Sequence, residues 1–311
     1  MLLTIDIGGT FMKYGLMDQN YHLVHTDKIP TPPTIEEFWQ GLEGIVDPVR
    51  EQIDGIAISC PGEIQKTLGF VFRGGLIPYL RNIPLASRLK QIFDLPVTVI
   101  NDGDAAGLAE ARLGNLQDCP CGATLVLGTG VGLALLSNGE LLNGWQLTEH
   151  IRGRSIDPSE RTPEDRRFHR ELFFQGISNL LENTGSAVHF VEKASQLLNL
   201  EKADGLAVFK EIDKGDNEEL DSLFQAYCRD IAILIFNLQT LLLLEKVTIG
   251  GGISSQEKLI SGIIYQYQNL LAQKDHDTFE ALPIQAARFH NESNLLGAAS
   301  YFYSSTSQKK F

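Results

Sequence analysis

The chain alternates short apolar runs with longer segments in which apolar residues recur at helical spacing. Apolar runs at Leu2–Ile7 and Phe11–Met17 predict two strands joined by a turn of two glycines and a threonine. Further strands are predicted at residues 21–26, 55–59, 97–100, 124–127, 131–136 and 247–249. Helices are predicted at residues 35–52, 85–93, 105–113, 220–244, 256–272 and 294–303, and the tail from residue 304 is expected to fray. Strands that alternate with helices in this way predict an α/β fold with two sheets.

One strand–turn–strand unit occurs twice. Residues 4–10 and residues 124–130 each end a predicted strand in a glycine turn that leads directly into another strand. We interpret this pattern as an internal repeat of half the molecule, although two glycine hairpins also arise by chance. The domains are predicted at residues 1–115 and 116–293, and the helix at 294–303 is expected to return to the first domain.

The glycines of these turns connect strand to strand. A dinucleotide-binding fingerprint needs glycines that open a helix, and a Walker loop needs Gly-Lys-Ser/Thr running into one. The pattern therefore excludes both motifs.

Composition and charge indicate which binding partners and which cellular location are expected. The chain has 26 Lys and Arg against 39 Asp and Glu, a formal charge of −13, which argues against binding to nucleic acid or to anionic membranes. Four irregularly spaced cysteines favour a reducing, cytoplasmic location, and Cys119-Pro120-Cys121 lacks the second ligand pair of a zinc site. The N-terminus predicts no signal peptide, and the apolar window at 231–244 is too short to span a bilayer.

The first glycine turn carries the chemistry of a phosphate site. Gly8 and Gly9 allow close approach of the backbone to a ligand, and Thr10 adds a hydroxyl. Lys13 supplies a cation, and Asp6 offers an oxygen to a hydrated Mg²⁺. The alternative is a tight hairpin whose glycines serve the turn alone.

Two further glycine segments lie in the second half of the chain. The first of them, like the turn at residues 8–10, combines glycines with a threonine between two predicted strands. Its candidate phosphate ligands are Gly128, Thr129 and Gly130. Gly251 and Gly252 follow a predicted strand and permit backbone approach to a flat group such as adenine, with a flexible turn as the alternative.

Asn101 and Asp102 directly follow a predicted strand, where α/β proteins place ligands. Asp102 is a candidate general base toward an attacking hydroxyl, and Asn101 a candidate hydrogen-bonding partner of sugar hydroxyls. The alternative for Asp102 is a helix N-cap, a role for which Asp104 competes. Ser59-Cys60-Pro61-Gly62 predicts a rigid turn that shapes a cleft wall, with Gly62 as a substrate-binding candidate; Cys60 is not expected to be a nucleophile.

The five motifs, in this order, resemble the ROK family (repressors, open reading frames and sugar kinases) of the actin-like ATPase superfamily. Residues 294–299, Asn-Leu-Leu-Gly-Ala-Ala, also resemble the closing helix of that family. The resemblance implies two actin-like (ribonuclease H-like) α/β domains with a cleft between them for ATP, Mg²⁺ and a hexose. It implies that Asp102 is the catalytic base, that Asn101 and Glu149 bind the sugar, and that the protein forms a homodimer. Because the hairpin starts at residue 4, the DNA-binding branch of the family is not expected.

One segment departs from the family pattern. Family members follow the sugar-binding glutamate with Gly-His and a cysteine-rich zinc motif, whereas this chain has Glu149-His150-Ile151 and no cysteine between Cys121 and Cys228. We therefore expect no zinc site and a closer resemblance to the zinc-less Gram-positive members. The charged segment 150–171 is interpreted as a solvated loop, with an anion or partner site as the alternative.

These observations predict an ATP-dependent, glucokinase-like hexose kinase that phosphorylates a sugar hydroxyl, O6 by family analogy. A β-glucoside kinase or an N-acetylmannosamine kinase is the alternative within the same chemistry. A sugar-binding sensor without turnover is the alternative from another class.

Overall fold

The computed structural model describes residues 1–142, 162, 164, 185–273 and 280–307. The chain forms two compact units, Met1–Gly114 with Asn291–Phe311 and Asn115–His290. The C-terminal helix thus belongs to the same unit as the N-terminal strands.

The first unit contains eight strands among the described residues. They are β1 Leu2–Ile7, β2 Phe11–Met17, β3 Leu23–Pro30, β4 Gly55–Cys60, β5 Glu63–Gln65, β6 Phe70–Arg73, β7 Arg81–Ile83 and β8 Val97–Asn101. Five of them form a sheet of order β3-β2-β1-β4-β8, in which β1 to β3 are an antiparallel meander and β4 and β8 run parallel to β1. The other three, β5 to β7, form an antiparallel sheet that is inserted between β4 and β8 in the sequence.

The second unit repeats the topology of the five-stranded sheet. Its described strands are β9 Cys121–Leu127, β10 Val131–Ser137, β11 Glu140–Leu141, β12 Lys246–Gly251 and β13 Ile284–Ala286. They have the order β11-β10-β9-β12-β13, again an antiparallel meander followed by two strands parallel to the first. The prediction that one strand–turn–strand unit is used twice is confirmed at the level of strand order and direction.

Eight α-helices lie in the described part of the chain. They are α1 Ile35–Val46, α2 Leu85–Phe93, α3 Asp102–Leu113, α4 Ala187–Leu197, α5 Gly205–Lys214, α6 Glu218–Leu242, α7 Glu257–Ala272 and α8 Ser293–Ser307. Among the described residues, none of these helices is both long enough and apolar enough to cross a membrane.

Helix α1 shows how local sequence sets a helix boundary. The Thr34 hydroxyl accepts the Glu37 N–H and donates to the Glu37 carboxylate, so Thr34 is the N-cap that starts the helix. The predicted helix 35–52 is too long, because the chain continues from Asp47 as a 3-10 helix. Pro48 lies at this junction, and a proline supplies no N–H for a helical hydrogen bond.

Helix α8 packs on α3 at very short range. A Cβ built on Gly297 would lie 1.8 Å from the main-chain oxygen of Ala105, so only glycine permits this crossing. The neighbouring Ala298 and Ala299 are fully buried. The close packing anchors the C-terminal helix beside the start of α3.

Two further predicted boundaries were wrong, and one sheet was missed, for identifiable reasons. Strand β3 begins at residue 23 because the Asp18 carboxylate accepts the amides of Asn20 and His22 and thereby extends the preceding turn. The tail is helical to Ser307, where fraying from residue 304 was expected. The three-stranded sheet β5–β7 had no counterpart in the prediction, because its strands of three or four residues are too short to show a periodic pattern.

Candidate functional site

The first glycine turn, Gly8-Gly9-Thr10, joins β1 to β2. The Gly8 amide donates to the Phe11 carbonyl at 3.0 Å, and a Cβ on Gly8 would lie 2.9 Å from the same oxygen. Lys13 lies directly opposite Asp6 in the β1–β2 register. The turn therefore has a carboxylate and a cation beside it on the two strands that it connects.

Asp6 is buried at the end of β1, with 8% of its surface exposed. Its Oδ1 accepts hydrogen bonds from Ser59 Oγ and Asn294 Nδ2, both at 3.0 Å, and no other described residue donates to its carboxylate. Burial raises the pKa of Asp6, while the two donors and the charge of Lys13 lower it. The second oxygen, Oδ2, thus has no donor among the described residues.

The turn after β4 depends on Gly62. This residue has φ +94°, and a Cβ on it would lie 2.0 Å from the Arg73 carbonyl oxygen, so no other residue type fits. The Gly62 carbonyl accepts a hydrogen bond from Asn101 Nδ2 at 2.9 Å. At the end of β4, burial and the nearby negative charges of Asp102 and Asp6 raise the pKa of the Cys60 thiol, which keeps it protonated at neutral pH.

Asn101 ends β8 and is the N-cap of α3. Its Oδ1 accepts the Asp104 amide at 3.1 Å, while its Nδ2 holds the Gly62 carbonyl. The alternative that Asp102 or Asp104 caps this helix is therefore wrong. Because both ends of the Asn101 side chain hold structural partners, its observed contacts are those of a residue that positions the turn and the helix.

Asp102 is the first residue of α3 and is half-buried. Its Oδ1 accepts the Gly103 amide at 2.9 Å, and no other described residue donates a hydrogen bond to its side chain. Burial raises the pKa of Asp102, the Gly103 amide lowers it, and the negative charges of Asp6 and Asp104 raise it, with a net value of about 6. Such a carboxyl is ionised at neutral pH yet basic enough to accept a proton.

Sheet topology brings these groups of the first unit to one edge. β4 lies between β1 and β8, and the register pairs Asp6 with Ser59 and Cys60 with Asn101. Because the three strands are parallel and neighbouring strands lie about 4.8 Å apart, their carboxyl ends meet at one edge of the sheet. Asp6, the turn after β4, Asn101 and Asp102 therefore form one cluster.

The second unit brings its two glycine segments together in the same way. Gly251 pairs with Leu127, so the end of β12 lies beside the turn Gly128-Thr129-Gly130. The space where a Cβ would lie is empty within 4 Å at Gly130 and Gly252, whereas at Gly251 a Cβ would lie 2.0 Å from the Leu127 carbonyl oxygen. The open glycines leave backbone accessible to a ligand, and Gly251 is required by the strand pairing.

Glu149 and the charged segment that follows it lie outside the described residues. In the part of the chain that the structure describes, no group of three or more His, Cys, Asp and Glu side chains is arranged to hold a metal ion. Sequence reasoning missed the two donors to Asp6, Ser59 and Asn294. Asn294 lies 288 residues from Asp6 in the sequence, and no local pattern links them.

Comparison with known proteins gives consistent matches over nearly the whole chain. The ROK family model matches residues 2–304. An N-acetylmannosamine kinase from Escherichia fergusonii is 29% identical over 302 residues, which cover 96% of each chain. A β-glucoside kinase from Listeria monocytogenes is 28% identical over 304 residues, 97% of each chain. A ROK family glucokinase from Streptomyces griseus, solved with glucose and AMPPNP, has a TM-score of 0.66 at 20% identity and covers 96% of this chain and 98% of its own.

The repeated sheet topology and these matches define an α/β protein with two actin-like domains, as predicted. The chain belongs to the ROK family.

Proposed function

We propose that this ROK-family sugar kinase transfers the γ-phosphoryl group of ATP to a hydroxyl of a hexose or hexose derivative, at O6. The observation that carries the proposal is Asp102, a half-buried carboxyl with a pKa of about 6 at the carboxyl end of β8. One of its oxygens is held by the Gly103 amide, which fixes the side chain and leaves the other for a substrate.

Asp102 is the proposed general base. It accepts the proton of the acceptor hydroxyl while the hydroxyl oxygen forms its bond to the γ-phosphorus, and ADP leaves. Asn101 holds the Gly62 turn beside this carboxylate, so its contribution is to position the sugar-binding wall. Catalysis of this kind rests on orientation and electrostatics, which suits a carboxylate fixed on a helix start.

The glycine turns are the proposed phosphate ligands. Gly8, Gly9 and Thr10 in the first unit, and Gly128, Thr129 and Gly130 in the second, offer backbone amides and hydroxyls to phosphate oxygens. Gly251 and Gly252 are the proposed neighbours of the nucleobase. Support for ATP comes from the open backbone at Gly130 and Gly252 and from the AMPPNP complex of the Streptomyces griseus glucokinase.

The residues present fit a magnesium ion held through water. Asp6 has a buried carboxylate with one oxygen fixed by two donors and the other without a donor among the described residues. Lys13, opposite Asp6, is suited to a phosphate oxygen. When bound, Mg²⁺ neutralises the charge that develops on the phosphates.

Two sugars are the first candidates for the phosphate acceptor. Relatives at 28–29% identity are named N-acetylmannosamine kinase and β-glucoside kinase, which supports these acceptors ahead of free glucose. Glucose, the substrate that the sequence analysis favours, is therefore tested beside these two acceptors.

The test is ADP release from Mg-ATP in the presence of N-acetylmannosamine, a β-glucoside, glucose, mannose, fructose or N-acetylglucosamine. Sugar-dependent release by the wild type, lost in Asp102→Asn, supports the proposal, and phosphorus NMR of the product identifies the acceptor oxygen. If no sugar in the panel causes ADP release but one of them raises the melting temperature, the result would instead support a sensor without turnover.

A further inference from the structure

Thr31 contacts both ends of the first glycine turn. It directly follows β3, whose last residue, Pro30, pairs with Phe11 at the start of β2. The Thr31 hydroxyl donates to the Gly8 carbonyl at 2.6 Å, and its backbone amide donates to the Thr10 carbonyl at 2.9 Å. One residue thus engages the carbonyls on either side of Gly9.

The segment that carries Thr31 is itself held in place. The Tyr79 hydroxyl donates to the Pro32 carbonyl at 2.6 Å, and the Tyr79 ring lies 5.8 Å from that of the fully buried Phe38 in α1. Two residues further on, Thr34 caps α1. The Tyr79 hydrogen bond and the start of α1 therefore both hold the segment that follows Thr31.

Holding the Gly8 carbonyl also fixes the direction of the Gly9 amide. A carbonyl and the N–H of the next residue share one planar peptide and point in opposite directions. Since the Gly8 oxygen points to Thr31, the Gly9 N–H points to the other side of the turn. Among the described residues, none accepts a hydrogen bond from the amides of Gly9 or Thr10. Glycines have no side chain to restrict this peptide, so the turn needs an external contact to hold it.

We propose that Thr31 is a positioning residue that orients the Gly8–Gly9 peptide so that the Gly9 N–H faces the phosphates of the nucleotide. The inference rests on the proposed function, in which this turn binds phosphate. Thr31 does not touch the ligand; its hydroxyl keeps the amide aligned before the nucleotide arrives, which avoids the cost of ordering the turn on binding.

The test compares Thr31→Val with Thr31→Ser and Thr98→Val. Valine keeps the size of threonine and the backbone bond to the Thr10 carbonyl, and removes only the hydroxyl bond to the Gly8 carbonyl. Serine restores that bond. Thr98, on β8, is the matched control because its hydroxyl has no hydrogen-bond partner among the described residues. The measurements are the dissociation constants of MgATP and inorganic tripolyphosphate by calorimetry, and the KM values for ATP and sugar.

We expect Thr31→Val to raise the dissociation constants of MgATP and tripolyphosphate by about tenfold each, which is the effect of losing one hydrogen bond. The KM for sugar should stay unchanged, and Thr31→Ser and Thr98→Val should bind like the wild type. A Thr31→Val variant that melts at a lower temperature but binds both phosphate ligands normally would overturn the proposal while leaving the kinase assignment intact. A wild type that binds neither MgATP nor tripolyphosphate would instead refute the proposed function, and the role of Thr31 with it.

Discussion

Replacing the Asp102 carboxylate by an amide should remove activity and at the same time stabilise the protein. The side chain is half-buried at the first turn of α3, and its pKa rises from an ordinary 3.8 to about 6. A rise of about 2 pKa units corresponds to about 3 kcal/mol of folding free energy lost when the group is ionised. Asp102→Asn keeps the shape and the acceptor for the Gly103 amide but carries no charge.

The sign of the effect depends on pH. Because folding raises the pKa of Asp102, the folded state favours the protonated form, so the cost is absent below pH 3.8 and grows as the pH rises to 6. Above pH 6 the cost is complete. Asp102→Asn should therefore be more stable than the wild type by about 1–3 kcal/mol at pH 7.5, and the two should melt alike near pH 4.

The assay combines thermal unfolding between pH 4 and 8 with sugar-dependent ADP release. We expect a higher melting temperature at pH 7.5 together with a kcat reduced by about 10²- to 10⁴-fold. Asp94→Asn is the matched control, because Asp94 is exposed at the end of α2 in a left-handed conformation that asparagine also adopts. The reasoning is refuted if Asp102→Asn keeps its turnover, or if its stability difference from the wild type does not change with pH.

Other predictions test the remaining parts of the site. The value of kcat/KM should fall about tenfold per pH unit below pH 6 as Asp102 is protonated, and a pH-independent rate down to pH 5 would contradict its role as base. Gly251→Ala should destabilise the protein by about 3 kcal/mol, because a Cβ would lie 2.0 Å from a main-chain oxygen of β9, whereas Gly252→Ala, with open space at that position, should melt like the wild type. Asn294→Ala should lower the free energy of unfolding, measured in urea, by about 1–2 kcal/mol, because it removes a hydrogen-bond donor from the buried Asp6. An unchanged urea midpoint would show that this hydrogen bond contributes nothing to stability.

Elements that depend on local sequence were predicted well. The strands Leu2–Ile7 and Phe11–Met17 and the helix Leu85–Phe93 have the predicted bounds. An apolar run closed by glycines, or an amphipathic segment of nine residues, contains its own start and stop signals. The position of Asp102 at the end of β8 follows in the same way, since a strand and a helix start adjoin there.

Contacts between distant segments were decided only by the tertiary structure. Asn294 reaches Asp6 because α8 packs on α3 through Gly297, and Thr31 reaches Gly8 because β3 pairs with β2 as far as Pro30. The motif at residues 294–299 predicts a closing helix, and residues 21–26 predict a strand. Neither pattern indicates these two hydrogen bonds, because each bond joins segments that only chain reversal and packing bring together. The sequence by itself thus predicted which residues are candidates to bind phosphate or to accept a proton. The tertiary structure decided which other side chains hold those groups in place, since a hydrogen bond depends on distance and direction in space and not on spacing along the chain.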